Sequence, residues 1–224
     1  MRLRFKNCAV ALVLTAALAA PAPATEYAGG LMLGYNGGPG GFLLGTASEL
    51  APGFPLSLRL GLGYKSMDPG NAADARRIFI NDATNGTPIQ RGRSYDFRFD
   101  LIYTIEANTR QQLNVYGGPR HSRFTGNFNF IGGNEDFDVT SNQWGLGMGL
   151  EGLFPMGHRM ALLLSGGFEY YFDNTLSGHD TAYSPDGEDV NAREDYTYAD
   201  ADAAINQPGL VGSVMIGLNY YFGR

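Results

Sequence analysis

Asp96, Arg98 and Asp100 stand two residues apart, a spacing at which extended backbone sends all three side chains the same way. Carboxylates and a guanidinium on one face can pair, hold an ion or pass a proton, depending on what lies opposite them. The same alternation sets Arg59 and Lys65 on one face of an earlier segment, and Glu151 and Glu169 on one face of two later ones. If these seven share an interior they must pair with one another or with water, because an unpaired buried charge costs several kcal/mol. Two uses are open to such a set: a gated polar path for ions or protons, or a salt-bridged plug.

The stretch 173–208 holds nine acids against the single base Arg193. Hard cations take oxygen ligands, which makes Asp186, Glu188 and Asp189 a candidate cation-binding loop. It lacks the alternating acids and terminal Glu of an EF-hand, so a solvated acidic loop is the simpler reading. Tyr183, Tyr196 and Tyr198 interleave with the acids, a composition suited to a host or cell-surface ligand. His121, His158 and His179 fall in three separate connections without metal-ligand spacing, and no cofactor or metal is expected.

Nucleophilic chemistry has little to stand on. There is no Gly-x-Ser-x-Gly elbow. His121 and Ser122 are adjacent, so an extended backbone throws them to opposite faces, whereas lipid A deacylases carry a His and a Ser two apart on one strand.

The elements that must position these residues are strands. Leu210 to Phe222 alternates a greasy face ending in Tyr220 and Phe222 with a face of Ser213, Gly217 and Asn219. Strong alternation also marks 56–65, 95–105, 144–151 and 160–172, with weaker signals at 27–36, 42–48 and 113–116. Phe42-Leu43-Leu44 does not alternate in polarity, which makes the second strand the faintest. The inward glycines of the sixth strand make room for larger partners such as Arg98 or Tyr116. Eight strands with connections alternating between tight turns and longer polar loops are the plan of a tilted barrel with lipid outside and a side-chain-filled lumen. Tyr27, Tyr35, Tyr64, Tyr95, Tyr103, Phe154 and Phe172 sit near strand ends as interfacial aromatics.

Met1 to Thr25 reads as a basic start, an apolar run and an Ala-x-Ala site, a cleaved secretory signal peptide over residues 1–24. The barrel then occupies 25–224, with outer loops near 67–93, 130–137 and 173–208. Cleavage removes Cys8, the one cysteine, and also Arg2, Arg4 and Lys6. That leaves 13 basic against 22 acidic residues, a net charge of −9, and no footprint for nucleic acid.

With its signal, eight alternating strands and terminal Tyr220-Tyr221-Phe222, the chain resembles the small eight-stranded outer-membrane β-barrel family. That family includes the outer membrane protein A barrel domain and porin-like proteins. The resemblance implies an all-β antiparallel transmembrane up-and-down barrel, set among outer-membrane lipid and lipopolysaccharide. It also implies that Tyr220 and Phe222 form a signal read by the barrel-assembly machinery, displaced here by Gly223 and Arg224. The expected function is a non-enzymatic structural, adhesive or surface-interaction role through acidic outer loops. The alternatives are a narrow transport or sensing barrel, as in the outer membrane protein W family, and a lipid A-modifying enzyme.

Overall fold

In hydrocarbon every backbone N–H and C=O needs a partner within the protein, so alternating strands can span a bilayer only by closing on themselves. The computed structural model, which describes residues 25–108 and 111–222, closes in this way. Its eight long strands are β1 (Glu26–Asn36), β2 (Pro39–Ser48), β3 (Leu56–Met67), β4 (Thr87–Asn108), β5 (Gln111–Ile131), β6 (Asp136–Pro155), β7 (Met160–Tyr171) and β10 (Leu210–Phe222). Each pairs antiparallel with the next, and β10 pairs with both β7 and β1 to complete the ring. The all-β, eight-stranded up-and-down barrel expected from the alternation is the fold that forms. The signal-peptide reading falls on residues 1–24, outside the described residues, as do Thr109, Arg110, Gly223 and Arg224.

Exposure follows the alternation. Leu31, Leu62, Met148, Phe168 and Val214 lie between 49% and 72% exposed and form the outer wall. The expected interfacial aromatics point outward with them, and Tyr64 meets Tyr95 at 5.4 Å between ring centroids. At the end opposite the long connections, Ala51–Phe54 and 156–159 turn tightly, with Gly53 at φ 74° and Gly157 at φ 105°.

Three sequence expectations change. The second strand starts at Pro39, and Phe42-Leu43-Leu44 does alternate in direction: Phe42 and Leu44 are buried inside while Leu43 is 63% exposed. The polarity signal failed because that side of the lumen is apolar. Met32, Phe42, Leu44, Leu153, Ala161, Leu163 and Met215 pack together there. Next, 67–93 is not one long loop. It holds helix α1 (Ala72–Phe79), and β4 begins at Thr87. Finally, 173–208 contains a short hairpin, β8 (Leu176–Gly178) and β9 (Thr181–Tyr183), and helix α2 (Tyr198–Ala204).

β4, β5 and β6 overrun the other strands and form a wall beyond the barrel. Its inner face carries Phe124, Phe128, Phe130, Phe137 and Val139, all buried. Two helices and the hairpin cover that face. Ile78 and Phe79 come from α1, Leu176 and Tyr183 from the hairpin, and Ala201 and Ala204 from α2, giving a second apolar core above the membrane. Asn71 caps α1 by accepting from the Ala73 and Asp74 N–H groups, and Thr197 with Asp200 forms a capping box on α2.

Candidate functional site

Asp100 lies at the centre of the lumen with 0% exposure. Arg59 Nε reaches its Oδ2 at 3.4 Å, Arg98 Nε reaches the same atom at 3.2 Å, and Arg120 Nη2 lies 2.7 Å from Oδ1. Arg59 continues to Glu151 at 2.7 Å, and Arg120 to Glu169 at 2.9 Å. Lys65 and Asp96 form a neighbouring pair at 3.1 Å. All seven residues singled out by alternation are buried inside the barrel and share this network, joined by Arg120, which sequence reasoning missed.

Neutral groups take up the remaining lone pairs. Asn36 Nδ2 and the Tyr171 hydroxyl donate to Glu169 Oε2, at 3.1 and 2.9 Å, and Asn114 Nδ2 donates to Glu151 Oε1 at 3.1 Å. Ser94 donates to Asp96 at 2.6 Å and shares a hydrogen bond with Ser122. The Tyr116 ring lies between two guanidiniums, with Arg59 Cζ 5.2 Å and Arg98 Cζ 5.3 Å from its centroid. Four cations meet four carboxylates, so the network is neutral. That balance is what allows charge to persist in an enclosed interior.

Glycines clear the space. A Cβ on Gly147 would sit 2.5 Å from Arg120 Nε, and one on Gly61 would sit 2.5 Å from Arg98 Cγ. One on Gly149 would strike the Tyr116 hydroxyl. The sixth-strand glycines therefore accommodate Arg120 and Tyr116, while Arg98 lies against Gly61 of β3. Below the network a polar cavity of 240 Å³ opens at the tight-turn end and stops at Arg59 and Glu151.

The other predicted residues are placed elsewhere. Asp186 accepts from Ser184 Oγ at 2.6 Å and from the Glu188 N–H at 3.2 Å, and Asp189 accepts from the Ser184 N–H at 2.7 Å. These bonds shape a turn, and the Ser184 bond holds the Asp186 carboxyl below its ordinary range. Among the described residues no three His, Cys, Asp or Glu side chains converge as a metal site. His121 faces outward with its ring 4.9 Å from Trp144, while Ser122 is buried inside, so the two form no nucleophile and base. Tyr220 and Phe222 face lipid, ring against ring at 5.3 Å.

A closed wall greasy outside, aromatic at its ends and neutralised within defines the chain as a small eight-stranded outer-membrane β-barrel. Among solved structures it is similar to a major outer membrane protein from Thermus thermophilus. The TM-score is 0.73 at 25% identity, over 89% of this chain and 100% of that one. Weaker likenesses are the N-terminal β-barrel domain of Pseudomonas aeruginosa OprF (TM-score 0.44, 12% identity, 88% and 96% of the two chains) and Ail, the attachment invasion locus protein of Yersinia pestis (0.40, 12%, 88% and 95%). No protein-family model and no curated protein matches the chain.

Proposed function

We propose that this chain is a non-enzymatic integral outer-membrane protein, exported by its signal peptide, whose sealed barrel mounts a folded acidic cap outside the cell. Its roles on this reading are envelope integrity and surface interaction. The observation that carries the reading is the neutral network from Arg59 through Asp100 to Glu169, which fills the lumen at mid-height. A conducting barrel needs a continuous wet path, and an enzyme needs a nucleophile or base aimed at a substrate. The buried ionisable groups here are committed to one another. The apolar core beneath α1, α2 and the hairpin supports the mount: loops with their own core present a fixed surface.

Two measurements test this. Purified protein in planar bilayers is expected to give no resolved conductance steps, and stable steps would overturn the sealed lumen. Cells lacking the protein should become more detergent-sensitive while the mass spectrum of their lipid A stays unchanged. A shift in acyl or head-group mass would overturn the non-enzymatic assignment.

A further inference from the structure

The outer wall changes character abruptly above the aromatic band on β4 and β5. Up to Tyr95, outward positions of β4 are apolar or aromatic; the next two are Arg93 and Arg91. On β5 the outward residue after His121 is Arg123, directly opposite Tyr95. Arg91, Arg93 and Arg123 are all exposed, and among the described residues no ion pair or hydrogen bond engages the side chain of any of them. In a mature chain read with a net charge of −9, three cations without a side-chain partner on one face are free to take one from outside. Asp68, just past the β3 residue opposite Gly92, accepts from Gln90 Nε2 and from the Gly70 N–H, both at 3.1 Å, and Asp136 and Asp138 of β6 are both held by Asn127 Nδ2, at 2.9 and 2.8 Å.

Register fixes the spacing. Arg91 and Arg93 are two apart on one strand, ~7 Å, and Arg123 is the diagonal cross-strand neighbour of Arg93, ~7–8 Å away. The row is thus roughly 14 Å long, broader than one phosphate group. Trp144, His121, Tyr95 and Tyr64 lie just below it, and such aromatics mark the headgroup level of a bilayer.

A second feature lies beneath. Gly117 of β5 and Gly166 of β7 face outward without side chains, and the wall there sinks into an apolar groove of 730 Å³ between Leu101, Val115, Met148 and Phe168. Arg123 is six residues beyond Gly117, ~20 Å along the strand; at a tilt of ~45° that is roughly 14 Å of depth, about one leaflet of a ~30 Å hydrocarbon core. Headgroup cations and acyl groove therefore stand at the two levels that one lipid spans.

We infer that Arg91, Arg93 and Arg123, with the groove at Gly117 and Gly166, form a site for one outer-leaflet lipid whose headgroup carries more than one phosphate. This rests on the outer-membrane placement above but not on the sealed lumen, so a failed lipid test leaves the conductance result standing.

The test is native mass spectrometry of the detergent-purified barrel, titrated separately with bisphosphorylated lipid A, its phosphate-free form and phosphatidylglycerol. Bisphosphorylated lipid A should bind tightest. The R91Q/R93Q/R123Q variant should bind it roughly 100-fold more weakly, since each surface cation adds about fivefold. Arg77→Gln, on the cap helix, should bind as wild type. Gly166→Leu has only the Ser213 carbonyl oxygen near its Cβ, at 3.7 Å, so it should fold and fill the groove. It is expected to lose affinity for lipid A without losing heat-modifiable mobility. Equal binding of the phosphate-free form, of phosphatidylglycerol, or by the triple variant would overturn the site.

Discussion

At the scale of single residues, Asp100 answers to three guanidiniums at once. Replacing it with Asn keeps the volume but removes the carboxylate paired with Arg98 and one of the two paired with Arg59 and with Arg120. Breaking a buried pair costs about 3–5 kcal/mol. Asp100→Asn should therefore lower the unfolding free energy of the barrel in lipid vesicles by that much, read as a lower urea midpoint, while Glu194→Gln on the exposed cap should leave the midpoint in place. Matching midpoints would mean that water, not protein, neutralises the lumen. Alternation located seven members of this network because each lies in a strand with a clear period of two. Arg120 was hidden because Gly117-Gly118-Pro119 looks like a strand break. In the barrel β5 runs straight through, and Arg120 Nη1 donates to the carbonyl oxygens of Phe99, Gly118 and Pro119 at 3.4, 3.3 and 3.1 Å. Charge counting was the available signal: the seven predicted residues carry one negative charge too many, and an enclosed lumen calls for one more cation.

At the scale of elements, the cap was the least legible part. The α1 signals are present in Asn71 before Ala72, and in Ala72, Ala75, Ile78 and Phe79 on one face, but the segment is short and set in polar sequence. Helices this short form only against a partner. Their partner is the protruding inner face of β4 to β6, which no local window reveals. One clamp holds α1 to the tip of that wall. Arg76 is 1% exposed, lies over the Phe130 ring, and pairs with Glu135 in the β5–β6 turn. Hydrogen bonds from Asn81 first, and from Arg76, hold the Glu135 carboxyl below its ordinary range. A lowered folded value means the clamp contributes fully above the ordinary carboxylate range, ~4.3, and is lost as pH falls through the lowered value. Amide-exchange protection of residues 72–79 should accordingly hold from neutrality down to mild acid and drop below about pH 4. Glu135→Gln should show reduced protection already at neutral pH and a smaller acid step. An unchanged acid step in that variant would assign the opening to other carboxylates, such as Asp186 or Asp200.

At the scale of the whole molecule, closure followed from chemistry more than from pattern. Alternation counted the strands, and the intolerance of hydrocarbon for unpaired backbone required the first and last to meet. They meet from Tyr27 opposite Phe222 to Asn36 opposite Ser213. Phe222 stands at the end of that seam, its ring against Tyr220 and 3.3 Å from where a Cβ on Gly29 would lie. Two roles for it are separable: a contact that holds the seam, or a mark read while the seam is being made. Because its ring is 57% exposed to lipid, its removal uncovers little, and Phe222→Ala should lower the unfolding free energy of the refolded barrel, measured in urea, by less than ~1 kcal/mol. In cells the same change should cut the fraction of heat-modifiable, folded protein in the outer membrane several-fold. If the folded fraction is unchanged, Phe222 is not read during assembly. If it falls only as far as the refolded barrel loses stability, the residue is a seam contact and the signal lies elsewhere on β10.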